Sequence, residues 1–139
     1  MLEQEFQEII TSVHKTFEHY RHWFIFFAGV NLVGYGWFAQ QLAENKNVAK
    51  WVILIICLYF VFHQILAFIV SRKLVNYLES RKNRLTLLLK ELDSNTQYNI
   101  NAQVACPIDL YVSVLKLTMK TFPSMVFLWV AFTILAFNK

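Results

Sequence analysis

Between Lys50 and Ser71 lie twenty residues, WVILIICLYFVFHQILAFIV, without a formal charge. A helix needs about 20 mainly apolar residues to cross the hydrocarbon core of a bilayer. Helix is also the conformation that satisfies each backbone donor and acceptor where lipid offers no partner. Residues 22–42 and 121–137 form two further apolar runs of similar or slightly shorter length. The expected fold is therefore all-α and integral to a membrane. Three long helices cross the bilayer and continue into a cytoplasmic helical bundle.

The rest of the chain fits one compact unit. It is 57% hydrophobic and has only three glycines and two prolines, which leaves little room for a linker or a low-complexity tail. Glu3, Glu5, Glu8 and Glu18 precede the first apolar run, whereas a secretory signal opens with a basic segment. The first span is therefore expected to be retained. Residues 71–120 hold eight lysines and arginines, and residues 1–21 hold Lys15 and Arg21. Only Lys46, Lys50 and Lys139 lie on the other side of a three-span arrangement. Basic residues mark the cytoplasmic side, which predicts N-in, C-out. The single membrane domain, 1–139, then divides into a cytoplasmic part of helix 1 (1–21), span 1 (22–42), span 2 (50–70), a cytoplasmic helical hairpin (71–120) and span 3 (121–137).

Apolar periodicity carries the helices beyond the spans. Phe6, Ile10, Val13, Phe17, Tyr20, Phe24, Phe27, Asn31 and Gly34 alternate in steps of four and three, a seam that predicts one helix over 2–42. Leu74, Leu78, Arg81, Leu85, Leu88 and Leu92 do the same and predict a helix over 49–93, ending at the polar turn 93–96. Residues 94–105 form the hairpin tip. Pro107 suits the first turn of a third helix, with Ile108, Tyr111, Val112, Leu115, Thr118 and Met119 as its apolar face. Pro123, at its entry to the bilayer, predicts a kink. Residues 1–21 carry net −2 and residues 71–120 net +4, so the N-terminal helix can dock on the hairpin.

Asn31, His63 and Gln64 are the sharpest polar signals inside the spans. Two readings are open, hydrogen-bonded ties between helices and the polar lining of a pore. All three glycines, Gly29, Gly34 and Gly36, lie in the first span. They predict close helix packing, within the protomer or between protomers. Arg72, Lys73, Arg81, Lys82 and Arg84 form the densest basic group. It suits anionic lipid headgroups or a cytoplasmic protein or RNA-containing partner; nothing in the pattern points to DNA.

His14, Glu18 and His22 recur every four residues, a ligand-compatible spacing without a fourth ligand. An ordinary polar face is the expectation there, and no metal or cofactor is predicted. Cys57 and Cys106 fall at different depths, so no disulfide is expected. No nucleophile–base pair or paired carboxylates appear, no glycine follows residue 36 to cradle a phosphate, and no arginine is followed by histidine at the HEPN nuclease spacing. The chain is not expected to be an enzyme.

The stretch HYRHWFIFFAGVNLVGYGWF pairs an amphipathic N-terminal helix with a Trp/Phe-rich span holding a mid-membrane Asn. This layout resembles SLATT-type membrane effectors of prokaryotic conflict systems and the small membrane accessory proteins of some CRISPR systems. The resemblance implies a homo-oligomer that permeabilises or depolarises the inner membrane in antiviral defence, triggered by a cytoplasmic partner or signal. The expected function is accordingly a pore or other route for ions. The alternative is a non-catalytic anchor or structural subunit that docks a cytoplasmic partner.

Overall fold

The structure, a computed structural model, describes residues 2–44, 49–92 and 107–138. Among the described residues there are three helices: α1 (Leu2–Ala43), α2 (Lys50–Leu92) and α3 (Ile108–Phe137). Among the described residues there is no strand. The backbone oxygen of Pro107 accepts from the amide of Tyr111 at 3.1 Å, so the proline sits immediately ahead of the helix it opens. The helix is unbroken across Pro123. The polar turn at 93–96, the hairpin tip, Cys106, Lys46 and Lys139 lie outside the described residues.

The chain divides into two compact units. Unit 1 draws on residues 1–22 and 71–117, unit 2 on residues 23–70 and 118–139.

Unit 1 buries one seam from each helix. Phe6, Ile9, Val13 and Tyr20 of α1 are buried, as are Val75, Leu78, Leu85 and Leu88 of α2 and Ile108, Tyr111, Val112 and Leu115 of α3. Phe17 stacks on Tyr111 with centroids 3.9 Å apart. Two polar contacts tie α1 to α2: Ser12 Oγ and Tyr77 OH at 2.8 Å, and Tyr20 OH and Ser71 Oγ at 2.7 Å in a buried setting. Ion pairs close the exposed edges. Arg84 holds Glu5 through two hydrogen bonds of 2.8 and 3.1 Å, Lys116 meets Glu79 at 2.7 Å, and Lys82 meets Asp109. Exposed pairs add little stability, but each joins two helices and so helps to fix their register. The acidic N-terminal segment thus meets the basic second helix through Glu5 and Arg84.

Unit 2 is held by aromatic packing. Trp129 is fully buried and stacks on Phe60 at 4.0 Å and on Tyr35 at 4.7 Å. Phe38, Ile53 and Cys57 complete this cluster, and Phe27, Ala67 and Phe122 form a second. Tyr35 OH donates to Met125 O at 3.1 Å. Lys50 Nζ donates to Phe137 O at 2.9 Å, where a cation meets the carbonyl end of α3.

The outside of unit 2 is apolar. Ile25, Phe26, Leu32 and Val33 of α1 are exposed, as are Leu54, Ile55, Leu58, Phe62 and Ile65 of α2 and Phe127, Leu128 and Ile134 of α3. By length and composition two helices can cross a membrane, over Lys50–Glu91 and Ile108–Phe137. Their most apolar windows are 28% and 17% buried within the protein. Both are compatible with a membrane protein. The expectation of three such helices is not met in full, because α1 is not among them. Asn31, the three glycines, Gln40 and Gln41 dilute its apolar run.

Candidate functional site

Asn31, His63 and Gln64, the polar residues singled out within the apolar runs, separate into a pair and an outlier. Asn31 of α1 and Gln64 of α2 are 1% and 0% exposed. Asn31 Nδ2 donates to Phe27 O at 2.8 Å, and Gln64 Nε2 donates to Asn31 Oδ1. Trp129 Nε1 of α3 approaches the same oxygen at 3.4 Å. Asn31 is therefore the hub of a contact that joins all three helices of unit 2. The amide orientations follow from the network: reversing Asn31 sets its oxygen against Phe27 O, and reversing Gln64 sets two amide oxygens face to face. Gln64 Oε1 is left buried without a hydrogen-bond partner.

His63, next in sequence, points elsewhere. Its ring is half-buried, with its centroid 4.8 Å from that of Phe27 and 6.0 Å from that of Tyr59. Its Nδ1 has no hydrogen-bond partner. Within one protomer, Asn31 and Gln64 face each other as ties between helices, and His63 alone reaches the surface.

The glycines divide in the same way. A Cβ on Gly34 would stand 2.7 Å from Phe60 and 3.0 Å from Trp129, so this glycine admits the aromatic stack. A Cβ on Gly29 or Gly36 would meet nothing within 4 Å. The packing role inside the protomer thus belongs to Gly34. Gly29 and Gly34 also line an open apolar groove of about 650 Å³, together with Phe26, Val33, Trp37 and Phe60.

The basic group does not act as one patch. Lys82 and Arg84 are engaged with Asp109 and Glu5. Arg81 lies over the Tyr77 ring at 5.2 Å. Tyr77 is shifted below the ordinary tyrosine pKa, first by its hydrogen bond to Ser12 and then by Arg81. Glu5 is held below the ordinary carboxylate range, chiefly by its hydrogen bond to Arg84. Arg72 and Lys73 are exposed and have no hydrogen-bond or ion-pair partner among the described residues.

The His14–Glu18–His22 face is occupied by local contacts. His14 Nδ1 meets Tyr111 OH at 3.0 Å, His14 Nε2 lies 3.6 Å from Glu18, and His22 Nδ1 donates to Glu18 O at 2.8 Å. Among the described residues no group of three His, Cys, Asp or Glu side chains could hold a metal.

Trp129 is the residue that sequence reasoning overlooked. Leu115, Phe122 and Trp129 recur every seven residues, and all three are almost completely buried. Extending the α3 seam past Pro123 in heptad steps would have found it.

No family model matches the chain, and no curated protein or solved structure is similar enough to count as a relative.

Proposed function

We propose that the protein is a non-catalytic integral membrane protein that works as a homo-oligomer and permeabilises or depolarises the membrane in which it assembles. Unit 2 lies in the bilayer, with residues 22–42 of α1 as a third span. The N-terminus and unit 1 are cytoplasmic, and the C-terminus is outside. The excess of lysine and arginine in residues 1–21 and 71–120 supports that orientation.

His63 carries the proposal of assembly. Ionisable residues within a membrane face a bundle interior, another chain or a water-filled cavity, and seldom lipid. One protomer covers the His63 ring only in part and leaves Nδ1 without a partner. Nδ1 is itself buried, so it is the uncovered part of the ring that a second copy, or water in a lumen between copies, would meet. Gly29 and Gly36, open on the outside of α1, give a neighbouring helix room to approach. The SLATT-like layout suggests the setting, an inner-membrane antiviral effector triggered by a cytoplasmic partner.

The anchor reading has an observation of its own. Apart from His63, the outward residues midway along the spans are apolar, so a ring of such protomers can enclose lipid instead of water. The protein then holds a cytoplasmic protein or RNA-containing partner at the membrane.

Ion flux through purified protein in liposomes separates the two readings. Wild type is expected to conduct, and His63→Leu is expected to assemble without conducting. Asn31→Leu is expected to weaken helix packing instead. Wild-type protein that assembles but conducts no ion, with and without cytoplasmic extract, removes the pore reading and favours the anchor.

A further inference from the structure

Two groups stand apart among the cations of unit 1, beside Arg81 over Tyr77 and the exposed Lys15 and Lys90 further along the helices. Lys82, Arg84 and Lys116 are each bound to a carboxylate on another helix: Asp109, Glu5 and Glu79. Arg21, Arg72 and Lys73 are exposed, and none has a hydrogen-bond or ion-pair partner among the described residues. These three share a level. The buried hydrogen bond between Tyr20 OH and Ser71 Oγ sets residue 20 of α1 beside residue 71 of α2. Arg21 and Arg72 follow those residues directly, and Lys73 lies one step further, about 3 Å along the axis from Ser71.

The surfaces of α1 and α2 change character at this level. On α1, exposed Arg21 and His22 give way to exposed Ile25 and Phe26. On α2, exposed Ile69 and Val70 give way to exposed Arg72 and Lys73. A free cation at an apolar-to-polar change stands at headgroup depth if the apolar side is in lipid. Arginine there can grip a phosphate with two parallel N–H bonds, and lysine can neutralise it as a point charge.

We propose that Arg21, Arg72 and Lys73 form a headgroup-binding collar that selects anionic phospholipid, while Lys82, Arg84 and Lys116 take no part in lipid binding. Charge complementarity favours this occupant. Three unpaired cations at one level meet a leaflet whose anionic lipids attract basic residues close to its surface and leave more distant ones screened. The collar rests on the membrane reading given above, and it narrows the basic group to two of its members plus Arg21.

The test uses the full chain in nanodiscs of phosphatidylcholine alone or mixed with phosphatidylglycerol, with native mass spectrometry counting the lipids retained. Wild type is expected to retain phosphatidylglycerol in preference to phosphatidylcholine. The Arg21→Gln/Arg72→Gln/Lys73→Gln variant is expected to lose the preference, by about fivefold for each charge removed. Lys82→Gln/Arg84→Gln/Lys116→Gln is expected to keep it. Arg72→Gln and Lys73→Gln made singly, each with a partial loss, cover the case in which the triple variant fails to insert. Undiminished preference in the collar variants, or its loss in the ion-pair variant, overturns the assignment. Carbonate extraction of membranes tests the premise separately. Wild type released by carbonate defeats the membrane reading, whereas wild type retained without lipid preference defeats only the collar.

Discussion

Units 1 and 2 are packed by the same three helices on the same heptad pattern, yet they treat polarity in opposite ways. Unit 1 buries leucine, valine and tyrosine and exposes its charges, joining three pairs of them across helices. Unit 2 exposes leucine, isoleucine and phenylalanine and buries the two amides of Asn31 and Gln64. The interiors differ less than the exteriors. Apolar association gains from expelling water, so unit 1 can rely on its hydrophobic seam. In the membrane setting proposed for unit 2 that gain is absent, and close packing with interhelical hydrogen bonds takes its place. Trp129, Gly34 and the Asn31–Gln64 contact supply both in unit 2.

The largest expected effect breaks unit 2 alone. Trp129→Ala removes a fully buried indole that stacks on Phe60 and Tyr35 and reaches Asn31. A buried aromatic truncated to alanine costs ~3–5 kcal/mol through lost contacts and the cavity left behind. Amide hydrogen exchange resolved by segment should show protection falling across residues 23–70 and 118–138. Matched losses in unit 1 would mean that the two units unfold together.

A smaller effect sharpens the contrast. Asn31→Leu leaves the Gln64 amide without its acceptor, and an orphaned buried donor costs ~1–3 kcal/mol. Adding Gln64→Leu removes the orphan along with its already unpartnered Oε1. Replacing both partners by apolar groups can be nearly neutral. The double variant is therefore expected to regain much of the stability that the single one loses, measured by unfolding in mixed micelles. Additive losses would show that the pair acts through shape and not through its hydrogen bond.

Much of this was legible in the sequence. The α1 seam from Phe6 to Gly34 contains Asn31, and the structure buries or half-buries every member. The expected limits of 2–42 for α1 and the expected start of α2 at 49 fall within one residue of Leu2–Ala43 and Lys50, and the expected end at 93 lies outside the described residues. The α2 seam was read only from Leu74 onward. Continued backward in the same steps it passes through Ser71, Ala67, Gln64, Phe60, Cys57 and Ile53, all buried. That continuation separates Gln64, on the seam, from His63, off it. Depth in a membrane says which polar residues can meet, whereas helical phase says which way they face. The pore-lining expectation used depth alone. The ion pairs were beyond reach for a different reason. Net charges of −2 and +4 predict attraction between segments, but long flexible side chains leave the partners of Arg84 and Lys82 undetermined until the backbone register is set.

The smallest expected effect concerns Glu5 and probes unit 1 by pH. Hydrogen bonding to Arg84 holds the Glu5 carboxyl below its ordinary value, so the folded chain binds this proton less readily than the unfolded chain does. The contribution to stability is complete above the ordinary glutamate pKa of about 4.3. It fades as pH falls further, through the lowered value. Glu5→Gln removes that dependence, so its stability curve should be flatter below about pH 4.3 than that of wild type. Both groups are exposed and screened by solvent, so the change should be modest and should shrink in high salt. Unit 2 supplies the control: its hub is built from uncharged amides and an indole. Acid-induced loss of exchange protection confined to residues 2–22 and 71–92 would tie the effect to the surface pairs of unit 1. An equal loss around Asn31 and Gln64 would mean that surface charge in one unit governs packing in the other.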